Sequence, residues 1–171
     1  MTPLKTANLA YIGVIHILAY FSIFLLAIIT GWISLEVISR IIGTGVLRGS
    51  VEFTEYAIFN MAFLAAPWIL HKNAHVRVLV LTEQLSERRR QIFEKAVNFF
   101  AAAACLILTY YAGINLIDSV QRAEFIFGEL VFPEWYVQWQ VPLAFSLLSI
   151  GFLKLTFGSG PANLLATAIK V

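Results

Sequence analysis

Long apolar runs dominate the chain. Tyr11 to Ile33 is 23 residues in which only His16 is an acid, base or histidine. Ala96 to Ile117 gives 22 residues with none, and Trp135 to Leu153 gives 19 with none. A helix needs about 20 such residues to cross the hydrocarbon core, so each predicts a transmembrane helix. A fourth run is shorter: the 15 residues Tyr56 to Leu70 lie between Glu55 and His71. At 1.5 Å per residue that spans about 23 Å, less than a bilayer core of about 30 Å. A start near Val51 completes it and puts Glu52 and Glu55 in its first turns, where acids suit the positive end of the helix dipole. The expected fold class is all-α integral membrane: a four-transmembrane-helix bundle with a short interfacial cytoplasmic segment. Three spans plus a re-entrant hairpin is the alternative. Residues 1–171 are expected to form a single membrane domain with spans at about 10–38, 51–71, 92–117 and 135–157.

Between the runs the loops differ in character. Residues 72–95 (KNAHVRVLVLTEQLSERRRQIFEK) mix apolar and basic side chains, which reads as a segment along the interface and a turn at Ser86 into the third helix. Residues 118–134 (DSVQRAEFIFGELVFPE) carry Asp118, Glu124, Glu129 and Glu134 against Arg122, with Phe125, Phe127 and Phe132 among them. Pro133 precedes the fourth helix, and Pro142 inside it is expected to kink it. The first run is longer than a signal-peptide core and has only Lys5 before it, so cleavage is not expected.

Composition agrees with a bilayer as solvent: 60% of residues are hydrophobic and 13% charged, against about 45–50% and 25% in soluble domains. The net charge of +2 gives no argument for nucleic acid. Its distribution says more. Lys5, Lys72, Arg77, Arg88, Arg89, Arg90, Lys95, Lys154 and Lys170 fall on one side of a four-span protein, and only Arg40, Arg48 and Arg122 on the other. The excess of Lys and Arg on cytoplasmic loops then places both termini in the cytoplasm. Cys105, the one cysteine, lies in an apolar run and reads as a small buried residue.

Catalytic signals are absent: there is no nucleophile elbow, phosphate loop or Cys-His zinc spacing, and no enzyme is expected. His71 and His75 are four apart, as a metal pair can be, but no third ligand is evident, so an interfacial pair at a helix end is the reading. His16 could share a depth with His71 as a bis-His haem site; a polar group near a bundle interface is the commoner explanation. Glu36 and Arg40 stand in the favourable i, i+4 order for an ion pair. Arg40 and Glu52 flank the first outer loop with opposite signs, and their pairing is slightly favoured, with Glu36 and Arg48 as competing partners. No span carries the midplane charge or broken helix of a transport pathway.

Ordered features from Glu36 onward carry a family likeness. EVISR closes the first helix with Arg40; SVEFTEYAIFNMAFLAAPWILHKNAHVRV opens the second with Ser-Val-Glu at Glu52; His75 to Val78 forms a His-x-x-V segment before a basic stretch; and FPEWYVQWQVPLAFSLL opens the fourth with Pro-x-Trp and a later Pro. Over about residues 10–157 the chain resembles the small permease subunit, DctQ type, of tripartite ATP-independent periplasmic (TRAP) transporters. It departs where many members place an Asp shortly after the His: Arg77, Leu79 and Leu81 stand there instead.

The resemblance implies a scaffold subunit in the bacterial inner membrane. Its partners would be a large multi-span permease subunit (DctM type), which holds substrate and sodium sites and moves as an elevator, and a periplasmic binding protein (DctP type), besides membrane lipid. The solute would be carboxylate-bearing and the import sodium-coupled. Glu36, Arg40, Glu52 and His75 become structural or subunit-interface candidates, and Glu124 and Glu129 candidates for docking the binding protein. No metal or cofactor is expected. A haem-bearing anchor subunit of a quinone-linked oxidoreductase is the alternative function.

Overall fold

The computed structural model describes residues 3–43, 49–72 and 87–157. Four helices in it are long and apolar enough to cross a membrane. Helix α1 runs Pro3–Ile42, α2 Ser50–His71 and α3 Glu87–Gln121. Two short antiparallel strands, β1 (Phe125–Ile126) and β2 (Phe132–Pro133), then form a hairpin, pairing Phe125 with Pro133 and Ile126 with Phe132. A single turn of helix, α4 (Trp135–Gln138), leads into α5 (Gln140–Phe157).

The helices outrun the apolar stretches. At 40 residues α1 is about 60 Å long, twice the hydrocarbon thickness. It starts at Pro3, whose missing N–H is harmless in a first turn, and ends at Gly43, whose φ of 81° stops the helix with its N–H on the Arg40 carbonyl. Helix α3 begins at Glu87, next to the expected turn at Ser86, and its first turns hold an Arg90–Glu94 ion pair at 3.1 Å. The interruption at Trp139 lies just ahead of Pro142. With no N–H, Pro142 leaves the Gln138 carbonyl without its usual donor, and the α4–α5 ladder breaks there. The proposed interfacial segment lies outside the described residues.

Helix packing follows a row. Helix α1 lies on α2, α2 on α5 and α5 on α3, so α1 and α3 stand at opposite ends. Lipid tails are as apolar as leucine, so hydrogen bonds and close packing hold such helices together. Ser22 donates to the Met61 carbonyl at 3.0 Å between α1 and α2, and Ser149 to the Ala102 carbonyl at 3.3 Å between α5 and α3. Cys105 is buried with Leu70 and Leu148, beneath Ala66, Phe145, Phe152 and Leu155, as a small apolar residue would be. Gly151 sits at a three-helix meeting point. A Cβ there would come within 2.8 Å of the Leu70 side chain on α2 and 2.9 Å of the Tyr11 hydroxyl on α1. Large apolar side chains such as Ile17, Phe24, Phe100 and Ile107 point outward, as lipid contact requires.

Candidate functional site at the hairpin end

The polar groups gather where the end of α1, the start of α2 and the hairpin meet. On α1, Glu36 accepts from Arg40 Nη2 through Oε1 at 2.7 Å and from the Ser50 hydroxyl through Oε2 at 2.6 Å. Ser50, the first residue of α2, is buried and in turn accepts from Trp32 Nε1 at 2.9 Å. The indole also packs on Phe53, ring centroids 5.0 Å apart. Trp32, Ser50, Glu36 and Arg40 thus form one hydrogen-bonded line across the α1–α2 seam. The Glu36 side chain is 12% exposed and that of Arg40 64%, so the pair ends in an accessible guanidinium. A shallow groove lined by Ile33, Glu36, Val37, Arg40 and Ile41 runs beside it.

Glu52 belongs to a different arrangement. Its Oε1 accepts from the Glu129 N–H and its Oε2 from the Leu130 N–H, each at 2.9 Å. Backbone N–H groups grasping both oxygens of one carboxylate make strong, charge-assisted bonds. The contact is reciprocated. Glu129 reaches back with Oε2 to the Gly49 N–H, one of the donors that the start of α2 leaves open. Two glycines make the approach possible. A Cβ on Gly128 would fall on the Glu52 carboxylate, and one on Gly49 would meet Leu130 Cγ at 2.7 Å. Gly49 also has φ of 74°, which side-chain-bearing residues rarely adopt. Phe132 of β2 then packs edge-on against Tyr56 of α2, centroids 5.2 Å apart. Hairpin and helix are latched together.

The favoured Arg40–Glu52 pairing is therefore overturned. Arg40 is held by Glu36 one turn away, while the backbone of the hairpin saturates Glu52. The competing Glu36–Arg40 pair is the one that forms. Glu129 is tied to α2, whereas Glu124 is exposed and, among the described residues, uses only its backbone, donating to Ser119 and accepting from Glu134. His75 and Arg48 lie outside the described residues. At the opposite end His16 and His71 do meet, ring centroids 6.1 Å apart. Sequence reasoning missed Trp32, Ser50, Gly49 and Gly128. The Gly-Ser-Val-Glu run and a glycine amid acids were visible, but nothing local linked positions 52 and 128.

Residues 29–158 match the family described as "Tripartite ATP-independent periplasmic transporters, DctQ component". The chain belongs to this family. Comparison with curated proteins gives no match. The matched stretch holds the whole line from Trp32 to Ser50, the Glu52 latch and the hairpin. A DctQ component is the small subunit of a TRAP transporter, a multi-pass membrane protein in a family of transporter subunits. Membership selects the transporter over the haem-anchor reading.

Proposed function

We propose that this DctQ component acts as one static membrane domain beside a large DctM-type permease subunit, in a sodium-coupled importer of a carboxylate-bearing solute that a DctP-type binding protein delivers. One observation supports the scaffold role above others. The described carboxylates of α1 and α2 that make side-chain bonds, Glu36 and Glu52, are committed to intramolecular bonds at one helix end. Among the described residues, the α1–α2 seam between its two ends is bridged by a neutral group, the Ser22 hydroxyl donating to the Met61 carbonyl. A moving carrier instead needs polar groups around a midplane site. The basic-residue bias favours an inner-membrane subunit with both termini cytoplasmic and the hairpin periplasmic. The exposed Arg40 guanidinium and the groove beside it offer the large subunit a polar contact at the membrane boundary. His75, four positions after His71 in the sequence, is a second interface candidate.

Reconstitution tests this reading. Liposomes with a sodium gradient and binding protein should take up solute only when both membrane subunits are present. Uptake by this chain alone would overturn the scaffold role. Reporter fusions after Val171 and within residues 122–130 should report opposite sides of the membrane; the same side for both would refute the four-span orientation.

A further inference from the structure

A second polar cluster lies at the end of the bundle away from the hairpin. Part of it, Asn8, Tyr11 and His16, precedes the stretch that the family accounts for. Lys154 of α5 donates from Nζ to Asn8 Oδ1 at 2.9 Å and stands over the Tyr11 ring, 3.5 Å from its centroid. The Tyr11 hydroxyl donates to the Leu147 carbonyl at 3.1 Å, which fixes the ring beneath the ammonium. His71, at the last turn of α2, packs against His16 and lies within electrostatic reach of Lys72 and Lys154. Lys72 in turn approaches the Trp68 ring, 5.9 Å from its centroid.

Two ammonium groups and two imidazoles from three helices thus converge. The two ion pairs among the described residues, Glu36–Arg40 and Arg90–Glu94, involve none of them. Lys154, Lys72 and His71 are exposed. An ammonium has three donors, and one from Lys154 goes to Asn8, so the group is oriented and still able to bind. The two ammonium groups repel each other unless an anion lies between them. Tyr and Trp beside lysines at a helix end are the side chains of the headgroup region, and the exposed Ile17 and Phe157 continue the surface as apolar.

We propose that this cluster is a binding site for the phosphodiester headgroup of an anionic phospholipid, with the acyl chains lying on the apolar flanks of α1 and α5. Basic pockets between helices at the cytoplasmic face suit anionic headgroups. The proposal rests on the orientation given above only for which leaflet supplies the lipid. A free phosphate would match the charge but leave the aromatic and apolar surroundings unused.

Native mass spectrometry of the full chain in neutral detergent tests it, with phosphatidylglycerol, phosphatidylcholine of the same chains, and inorganic phosphate as probes. The wild type should retain phosphatidylglycerol over phosphatidylcholine. Lys154→Ala and Lys72→Ala should each weaken that retention by about fivefold. The double variant Arg88→Ala/Arg89→Ala removes two charges flanking the same end and should stay within about twofold of wild type. Lys154→Arg, which keeps the charge, should retain the lipid, so a loss in Lys154→Ala alone is not misfolding; thermal melting checks each variant. Equal retention of the two lipids, equal losses in the Arg88/Arg89 variant, or full competition by millimolar phosphate would overturn the proposal. None of these outcomes depends on transport, so failure of the uptake assay would be a separate result.

Discussion

Glu52 and Gly128, 76 positions apart, contend for one space: the Glu52 carboxylate fills the position that a Cβ on residue 128 would take. Gly128→Ala should therefore expel the carboxylate from the hairpin, destabilising the protein by about 1–3 kcal/mol, as overpacked sites usually do. In a Glu52→Ala background the same change should cost much less, because the obstructing group is gone. Thermal melting of the four proteins of this cycle checks it. A cost for Gly128→Ala that does not depend on residue 52 would refute the latch.

Arg40 and Glu52 occupy separate networks, so the cycle Arg40→Ala with Glu52→Ala should be additive. The Arg40→Ala and Glu36→Ala cycle should show coupling. Ser50→Ala goes further, because it strands the Trp32 N–H at a buried site. That loss should be about 1–3 kcal/mol. Adding Trp32→Phe, which removes the stranded donor, should recover part of it. Coupling between positions 40 and 52 in denaturation midpoints would contradict the geometry.

The two acids of the hairpin loop should part company. If the hairpin face docks the binding protein, as we propose, exposed Glu124 is the acid that steers it by charge, while Glu129 holds Gly49. Glu124→Gln should slow binding-protein association at low salt and leave the melting temperature unchanged. Glu129→Gln should lower the melting temperature. Stopped-flow association together with melting separates the two effects, and equal behaviour of the two variants would deny the division.

Gly151 should tolerate no larger residue. An added Cβ would have to displace the Leu70 side chain, which is 4% exposed, and the Tyr11 hydroxyl, which donates to the Leu147 carbonyl. Gly151→Ala should cost about 1–3 kcal/mol. Tyr11→Phe should relieve part of that cost by removing the hydroxyl. A neutral Gly151→Ala in a melting assay would show that the three helices are looser here than the packing indicates.

Four spanning helices, the positive bias of one side and the buried character of Cys105 were legible in the chain because each follows from composition over a window. An apolar run of about 20 residues has one physical solution in lipid. The i, i+4 pair of Glu36 and Arg40 was legible too, since helical spacing alone brings those side chains together. Helix ends were less so: α1 and α3 continue past the apolar stretches, because capping glycine and local ion pairs stop or extend a helix irrespective of hydropathy. The partner of Glu52 lay beyond local reasoning altogether. Opposite charge favoured Arg40, but two backbone N–H groups 77 and 78 residues away satisfy the carboxylate better. Only the folded chain shows that a hairpin forms between β1 and β2 and that two glycines let it close on α2. The row order of the helices was likewise a tertiary decision, set by where Ser22, Ser149 and Gly151 allow close approach. Hydropathy determines that a segment enters the membrane; shape and hydrogen bonding between segments determine which neighbour it meets there.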